Sequence, residues 1–328
     1  MSVFVTGGSG VVGSALLTRL VSKGYETFAM ARSPEASSTV EQLGAKAIRG
    51  DILDFDETVL EGIDVVYHVA GVNELCPRDP DSMRLVNVEG TRNVVQAAHR
   101  AGVRRLVYTS SVAVLGHRAV GLTDESLIHS GRFVSHYAAT KWEAEKVAFS
   151  EVGSCEVVAV NPASVQGPGR ATGTAKIILD LAADKLPVLT DTSISIVDVN
   201  DCAQGHILAA ERGVPGERYI LSGFTVTIPE ALALLTELTG RVLKTRLVPA
   251  WALRPLGPMV GLTARRFGFS LGGLELCREI LDNLLIRHTY DGSKASRELG
   301  LEYRSAASTL GALLTWAESE GHYVPKAG

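Results

Sequence analysis

Apolar residues fall in short, nearly unbroken runs along the first half of the chain: Ser2–Thr6, Thr27–Ala31, Lys46–Arg49, Val65–Val69, Arg105–Thr109 and Glu156–Val160. Runs of this length predict strands buried on both faces of a parallel sheet. Between them the spacing changes to that of a helix. Val12, Leu16, Leu20 and Val21 gather near one face after the first run, and a second helical pattern spans about Asp81 to Ala101. Ser33-Pro34 reads as a helix start, with serine as N-cap and proline at the first helical position. The alternation predicts an α/β fold, a doubly wound parallel sheet with right-handed crossovers.

The regularity changes after Asn161-Pro162. Gln166–Gly173 reads as a glycine-rich loop, Lys176–Ala183 as a helix, Ser195–Val199 as a strand and Asp201–Arg212 as a helix. From Gly223 onward the pattern is mainly helical, with a capped start at Thr227-Ile228-Pro229-Glu230. The expected division is a nucleotide-binding unit over 1–165, to which 194–213 returns as a strand–helix excursion. A smaller, mainly helical C-terminal substrate unit takes 166–193 and 214–328. Leu247–Phe269 mixes Trp251, Leu253, Leu256, Met259, Val260 and Leu262 with arginines, a stripe expected to pack in the core, with an apolar pocket lining or a membrane-surface contact as the alternatives.

Composition narrows the classes. The chain has 328 residues, a net charge of −4 and 46% hydrophobic residues, so it can bury a large core. Its slightly acidic balance gives no electrostatic footprint for nucleic acid. No apolar run is long enough to span a membrane. The first residues enter a strand pattern without a basic stretch, so no secretory signal is expected. Cys76, Cys155, Cys202 and Cys277 lie far apart, which suggests free thiols in a reducing cytoplasm and neither a disulfide framework nor a metal site.

Thr6-Gly7-Gly8-Ser9-Gly10-Val11-Val12-Gly13 follows the first strand and opens the first helix. Glycines three apart allow a tight turn, close approach to a pyrophosphate and close helix–strand packing, as in a Rossmann dinucleotide site. The helix N-terminus presents free N–H groups to phosphate oxygens. Gly7, Ser9, Gly10, Val11, Val12 and Gly13 are therefore expected to bind the cofactor. The second strand ends in Met30-Ala31-Arg32-Ser33, with an arginine where NAD-binding chains usually place a carboxylate for the ribose 2′-hydroxyl. Arg32 on a 2′-phosphate favours NADP(H) over NAD(H).

Tyr137-Ala138-Ala139-Thr140-Lys141 places a phenol and an ammonium at i and i+4, on one face of a helix. A nearby ammonium favours the phenolate, so the pair can move a proton to or from a carbinol oxygen. Tyr108-Thr109-Ser110-Ser111 closes the fifth strand, where hydroxyls face the ligand end of the sheet.

These residues, with Gly50-Asp51-Ile52, His68–Gly71, Val86–Thr91, Tyr108–Gly116, Asn161–Gly169 and Ile196–Asp201, make the chain resemble the extended short-chain dehydrogenases/reductases of the NAD-dependent epimerase/dehydratase family along nearly its whole length. Ala31–Ser33, Asn87–Val94 and Gly216–Gly223 bring it nearest to dihydroflavonol-4-reductase-like members, hopanoid-associated sugar epimerases and the 3β-hydroxysteroid dehydrogenase branch. The resemblance implies that Ser111 hydrogen-bonds the substrate oxygen, Tyr137 is the acid or base, and Lys141 binds the nicotinamide ribose. It implies an adenine contact at Asp51 and Ile52, and a ribose–pyrophosphate contact at Ala70 and Gly71. Pro162 and Val165 would lie beside the nicotinamide, Asn87 would support the site, and His68 would be structural. It also implies a homodimer paired through Arg92–His99 and Tyr137–Phe149.

The departures matter. Val112 and Ala113 follow Ser111, where sugar dehydratases carry an acid. Leu115 and Asn161 replace the tyrosine and arginine common in sugar epimerases. Arg170, Arg265 and Arg266 are the remaining cations for a sugar nucleotide. The leading expectation is an NADP(H)-dependent oxidoreductase of a secondary alcohol or ketone, the substrate a small, hydrophobic molecule. The alternatives are a nucleotide-sugar epimerase with tightly held NAD, and a non-catalytic NADP-sensing protein. The loops Val72–Cys76, Gly116–Arg132 and Gln166–Thr174 are expected to meet the substrate, with Asn73 and Glu74 as polar contacts.

Overall fold

The computed structural model describes residues 1–118, 121–151, 153–249, 270–271, 274–275 and 277–324. Seven strands form one parallel sheet. β1 (Ser2–Thr6), β2 (Glu26–Ala31), β3 (Lys46–Arg49), β4 (Val65–His68), β5 (Arg105–Thr109), β6 (Glu156–Pro162) and β10 (Arg218–Leu221) lie in the order β10-β6-β5-β4-β1-β2-β3. Strand order reverses between β1 and β4, which opens a crevice at their carboxyl ends.

Period-2 alternation decides which side chain meets which helix. Val3 and Val5 of β1 join Leu16, Leu17 and Leu20 of α1 (Val11–Ser22), Val40 of α2 (Pro34–Gln42) and Ile207 of α7 (Val199–Arg212) in one core. Phe4 points the other way, among Val94 and Val95 of α4 (Gly90–Arg100) and Ala144 of α5 (His136–Ser150). Ser33 caps α2 as its sequence suggested, accepting from the Ala36 N–H at 3.2 Å. The helix expected from Asp81 to Ala101 is continuous from α3 (Pro80–Arg84) through a π-helical turn, Leu85–Glu89, into α4.

The second half contains smaller layers. β7 (Ser164–Gln166), β9 (Ser193–Asp198) and β11 (Phe224–Thr227) make a three-stranded sheet, and β8 (Val188–Thr190) pairs with β12 (Arg246–Val248). α6 (Thr174–Ala182), α8 (Ile228–Thr239) and α10 (Ala306–Ser319) enclose a separate apolar cluster around Leu179, Leu235 and Leu313. The start of α8 is a full capping box between Thr227 and Glu230. A short helix, α9 (Arg278–Leu284), precedes the loop to α10.

One expectation is corrected here. The strand read at Ser195–Val199 does not return to the main sheet. Buried Ser195 needs polar partners, and it finds them away from the main sheet: its Oγ shares a hydrogen bond with Thr225 Oγ1 of β11 at 2.6 Å and accepts from the Tyr290 N–H at 2.8 Å. The return is made by α7 and by β10, whose four residues pair in parallel with Ala159–Pro162. Residues 250–269, including Arg265 and Arg266, lie outside the described residues.

Candidate active site

The glycine loop is built as its spacing suggested. Gly7 has φ +72°, and a Cβ on it would stand 2.7 Å from the Ala70 amide nitrogen. A Cβ on Gly13 would run into the Gly7 carbonyl, so α1 reaches this close to β1 only with glycine there. The Gly10 N–H is satisfied by Gly7 O at 3.1 Å, while the next N–H groups of α1 have no intrahelical acceptor. The cradle fits a pyrophosphate, and Ser9, Gly10, Val11, Val12 and Gly13 line the cavity beside it.

That cavity has a volume of about 1790 Å³ and runs from the tips of β1 and β2 to the helices of the second half. Arg32 and Ile52 line its first end, with Met30, Ser33 and Ala36. Asp51 stands outside the lining, where its carboxylate accepts from the Leu53 N–H at 3.0 Å and faces Arg32 at 4.0 Å. Ala70 and Gly71 line the middle, and Pro162 and Val165 the floor beside the strand ends.

His68 is buried and uncharged, its pKa pushed down to about 3 by burial and, secondarily, by Lys141. Thr91 donates to the Asn87 carbonyl at 2.6 Å, so it accepts from His68 Nε2 at 3.0 Å. His68 Nδ1 then accepts from Thr6 Oγ1 at 2.7 Å, and Thr6 Oγ1 accepts from the Ala70 N–H at 3.2 Å. This chain ties the glycine-loop strand to the π-helical turn. Asn87, presented by that turn, accepts from the Val72 N–H at 2.7 Å and donates to Thr140 Oγ1 at 3.0 Å, one residue before Lys141. A π-turn re-aims one side chain inside a helix, and here it aims Asn87.

Ser111, Tyr137 and Lys141 meet in the same cavity. Ser111 caps a 3-10 turn, its Oγ accepting from the Ala113 N–H at 3.1 Å. α5 presents Tyr137 and Lys141 one turn apart, started by Ser135, whose side chain accepts from the Ala138 N–H. Lys141 Nζ donates to the Thr109 carbonyl at 2.7 Å and stands 4.5 Å over the Tyr108 ring. Burial pushes its pKa down to about 7, against the pull of Glu145. The depressed Tyr137 pKa expected from its lysine neighbour is not found. Burial raises it, and the Ser111 hydroxyl and Arg170 only partly counter that. A low-dielectric site disfavours the phenolate as much as it disfavours the ammonium. The arrangement holds a neutral phenol, an acid able to protonate a developing alkoxide.

Three further features had no signal in the sequence. His117, His288 and Tyr290 line the far wall, with His117 and His288 ring centroids 5.3 Å apart and Tyr290 Oη 3.4 Å from His117 Nδ1. Apolar side chains of three layers, among them Ile178, Leu181, Val226, Leu235 and Leu310, line the end beyond. The loops read as substrate contacts contribute Asn73, Glu74, His129 and Arg170. The third feature corrects the cysteine reading: Cys76 and Cys277 form a disulfide, with Cα atoms 6.5 Å apart. They are 201 positions apart in sequence, and spacing is silent about cysteines brought together only by the fold. Glu279 reinforces the tie, accepting from the Cys76 N–H at 2.6 Å and the His136 N–H at 2.9 Å. Cys155 and Cys202 are free and buried. Among the described residues no helix is long and apolar enough to cross a membrane, and no His/Cys/Asp/Glu group can hold a metal.

A doubly wound sheet with a glycine cradle at its switch point, opening onto a buried hydroxyl–phenol–amine set, defines a nicotinamide-nucleotide enzyme. The chain belongs to the NAD dependent epimerase/dehydratase family, whose model matches residues 3–222. It is an NAD(P)-dependent oxidoreductase of that family's extended short-chain type. It is 31% identical to a putative dihydroflavonol 4-reductase of Synechocystis sp., over 97% of this chain and 95% of that one. It is 34% identical to the 4-hydroxy-2-methyl-3-oxo-4-farnesyl-3,4-dihydroquinoline-1-oxide ketoreductase of Stigmatella aurantiaca, over 92% and 91%. The crystal structure of gox2253 superposes with a TM-score of 0.86 at 32% identity, covering 98% of this chain and 99% of that one.

Proposed function

We propose that the protein is an NADP(H)-dependent reductase or dehydrogenase acting on a ketone or secondary alcohol carried by an apolar skeleton. The carrying observation is that Ser111, Tyr137 and Lys141 converge midway along one cavity, with Arg32 at one end and an apolar chamber at the other. The bound nicotinamide would supply or take up the hydride. The chain's own part is to place the carbonyl and manage its proton. Ser111 Oγ and Tyr137 Oη hydrogen-bond the carbonyl oxygen, and Tyr137 gives up its proton as the alkoxide forms. Lys141 holds the ribose and restores the charge balance. Arg32, Ser33 and the N-terminus of α2 receive the 2′-phosphate. The name of the Stigmatella ketoreductase, with its farnesyl-bearing substrate, supports the apolar skeleton.

The same reading assigns cofactor binding to the first half of the chain with α7 and β10, and substrate binding to the remaining elements of the second half, β9 among them. It also pairs two copies through the outer faces of α4 and α5, which sedimentation would test, and places the protein in the cytoplasm, without the free-thiol argument, which the Cys76–Cys277 bond removes.

The deciding experiment has two stages. Freshly purified protein is denatured and its nucleotide content measured. The protein is then assayed with NADPH against apolar ketones, beside Tyr137→Phe. Turnover that falls at least about a hundredfold in Tyr137→Phe supports the proposal. About one equivalent of retained NAD, with no ketone turnover, would replace it with the epimerase. NADP binding without any turnover would leave a sensing protein.

A further inference from the structure

The polar core behind the site contains a charged group that the proposed chemistry does not use. Glu145 lies on α5 one turn beyond Lys141 and is only 3% exposed. A buried carboxylate is costly unless it is paired and hydrogen-bonded. Its two oxygens have separate partners. Arg218, carried by β10, places Nη1 3.1 Å from Oε1. Asn161, at the end of β6 and fully buried, donates Nδ2 to Oε2 at 2.8 Å. The same Nδ2 donates to the Ser111 carbonyl at 3.1 Å. Two acceptors flank that end of the amide, which fixes its orientation. Asn161 Oδ1 has no hydrogen-bond partner among the described residues, so the amide is held entirely by the carboxylate and the Ser111 main chain.

We infer that Glu145 is a positioning residue of this site: seated between Arg218 and Asn161, its carboxylate holds the main chain at Ser111 and supplies the negative charge that faces Lys141. The inference rests on reading Ser111, Tyr137 and Lys141 as the reacting set.

The electrostatic surroundings of Lys141 leave this role to Glu145. On α5 it has the Tyr137 phenol on one side and Glu145 on the other. From β5 it meets the Tyr108 ring and the Thr109 carbonyl, and from β4 the uncharged His68. Arg170 faces Tyr137 and Arg218 faces Glu145, and both are cations. Among the described residues Glu145 is thus the anion that works against the burial of the lysine. Arg218 is partly exposed and can turn to water, so removing the acid need not leave an unpaired cation in the core.

The test follows Lys141 itself. Full-length protein labelled at lysine Cε is titrated by NMR, and the Lys141 signal is identified by its loss in Lys141→Met. In Glu145→Gln the midpoint should fall by about one pH unit or more, a tenfold change in proton affinity. Glu145→Asp, which keeps the charge, should titrate near the wild type. The amide signals of Ser111 and Ala113 should move in Glu145→Gln and return in Glu145→Asp. If Glu145→Gln does not fold, Glu145→Gln/Arg218→Gln removes both charges together and should show a fall in the same direction but smaller, because the partly exposed Arg218 is the more screened of the two. An unmoved midpoint in either folded variant overturns the inference. Turnover does not enter this test, so an inactive ketone panel would refute the proposed reaction and leave this result intact.

Discussion

Lys141→Met should make the protein more stable while disabling it. The lysine is 5% exposed, and its pKa is displaced from the ordinary 10.5 to about 7 by burial. The folded value lies below the unfolded one, so the unfolded chain binds the proton more tightly. The resulting cost is fully present below pH 7 and is relieved as pH rises from 7 towards 10.5. Its full size is about 5 kcal/mol. Methionine removes that cost, but leaves the Thr109 carbonyl without its 2.7 Å donor, a loss of about 1–3 kcal/mol. The net expectation is a gain of about 2–4 kcal/mol near pH 6 that shrinks by about 3 kcal/mol near pH 9. Urea unfolding of wild type and variant, followed by circular dichroism at both pH values, measures the difference; groups common to both proteins cancel. A gain of equal size at the two pH values would refute the reasoning, because only a titrating lysine makes it pH-dependent.

Three other outcomes are expected. Arg32→Ser should weaken NADPH binding about tenfold to a hundredfold and leave NADH unchanged, since Asp51 at 4.0 Å is a weak, exposed partner; equal losses for both nucleotides, read by titration of nucleotide fluorescence, would remove Arg32 from the 2′-phosphate. Gly13→Ala puts a methyl group into the Gly7 carbonyl and should lower stability by about 1–3 kcal/mol and abolish tight nucleotide binding, measured as a Tm shift with and without NADPH. Denatured but unreduced protein should titrate two thiols, Cys155 and Cys202, and four after reduction; four before reduction would deny the bond between Cys76 and Cys277.

Much of the fold was legible because its signals are local. A strand buried on both faces must be apolar nearly throughout, so β1 and β5 could be bounded to the residue from the sequence; β3 has the expected bounds but lies at the sheet edge, with Lys46 and Arg49 exposed. The glycine cradle was equally legible, because a backbone that needs φ +72° at Gly7 and no Cβ at Gly13 admits few other residues. Tyr137 and Lys141 followed from helix geometry alone, four positions being one turn.

What stayed hidden depends on contacts between distant segments. β10 is four residues with an arginine at its head, and only its register against β6 makes it part of the main sheet and brings Arg218 to Glu145. β9 looked like a returning strand, but it pairs with β7 and β11, where buried Ser195 meets Thr225 and the Tyr290 N–H. Cys76 and Cys277 carried no pattern, because a disulfide needs proximity and not spacing. The tyrosine pKa also went against the local rule, since burial outweighs the Ser111 hydroxyl and Arg170, and Lys141 is itself pushed toward its neutral form. The sequence by itself determined six of the seven strands of the sheet, the glycine cradle and the placing of Tyr137 and Lys141 one turn apart, which follow from backbone geometry within a few residues. The tertiary structure decided their charge states, the disulfide and the shape of the chamber, because desolvation and packing are set by everything that surrounds a group.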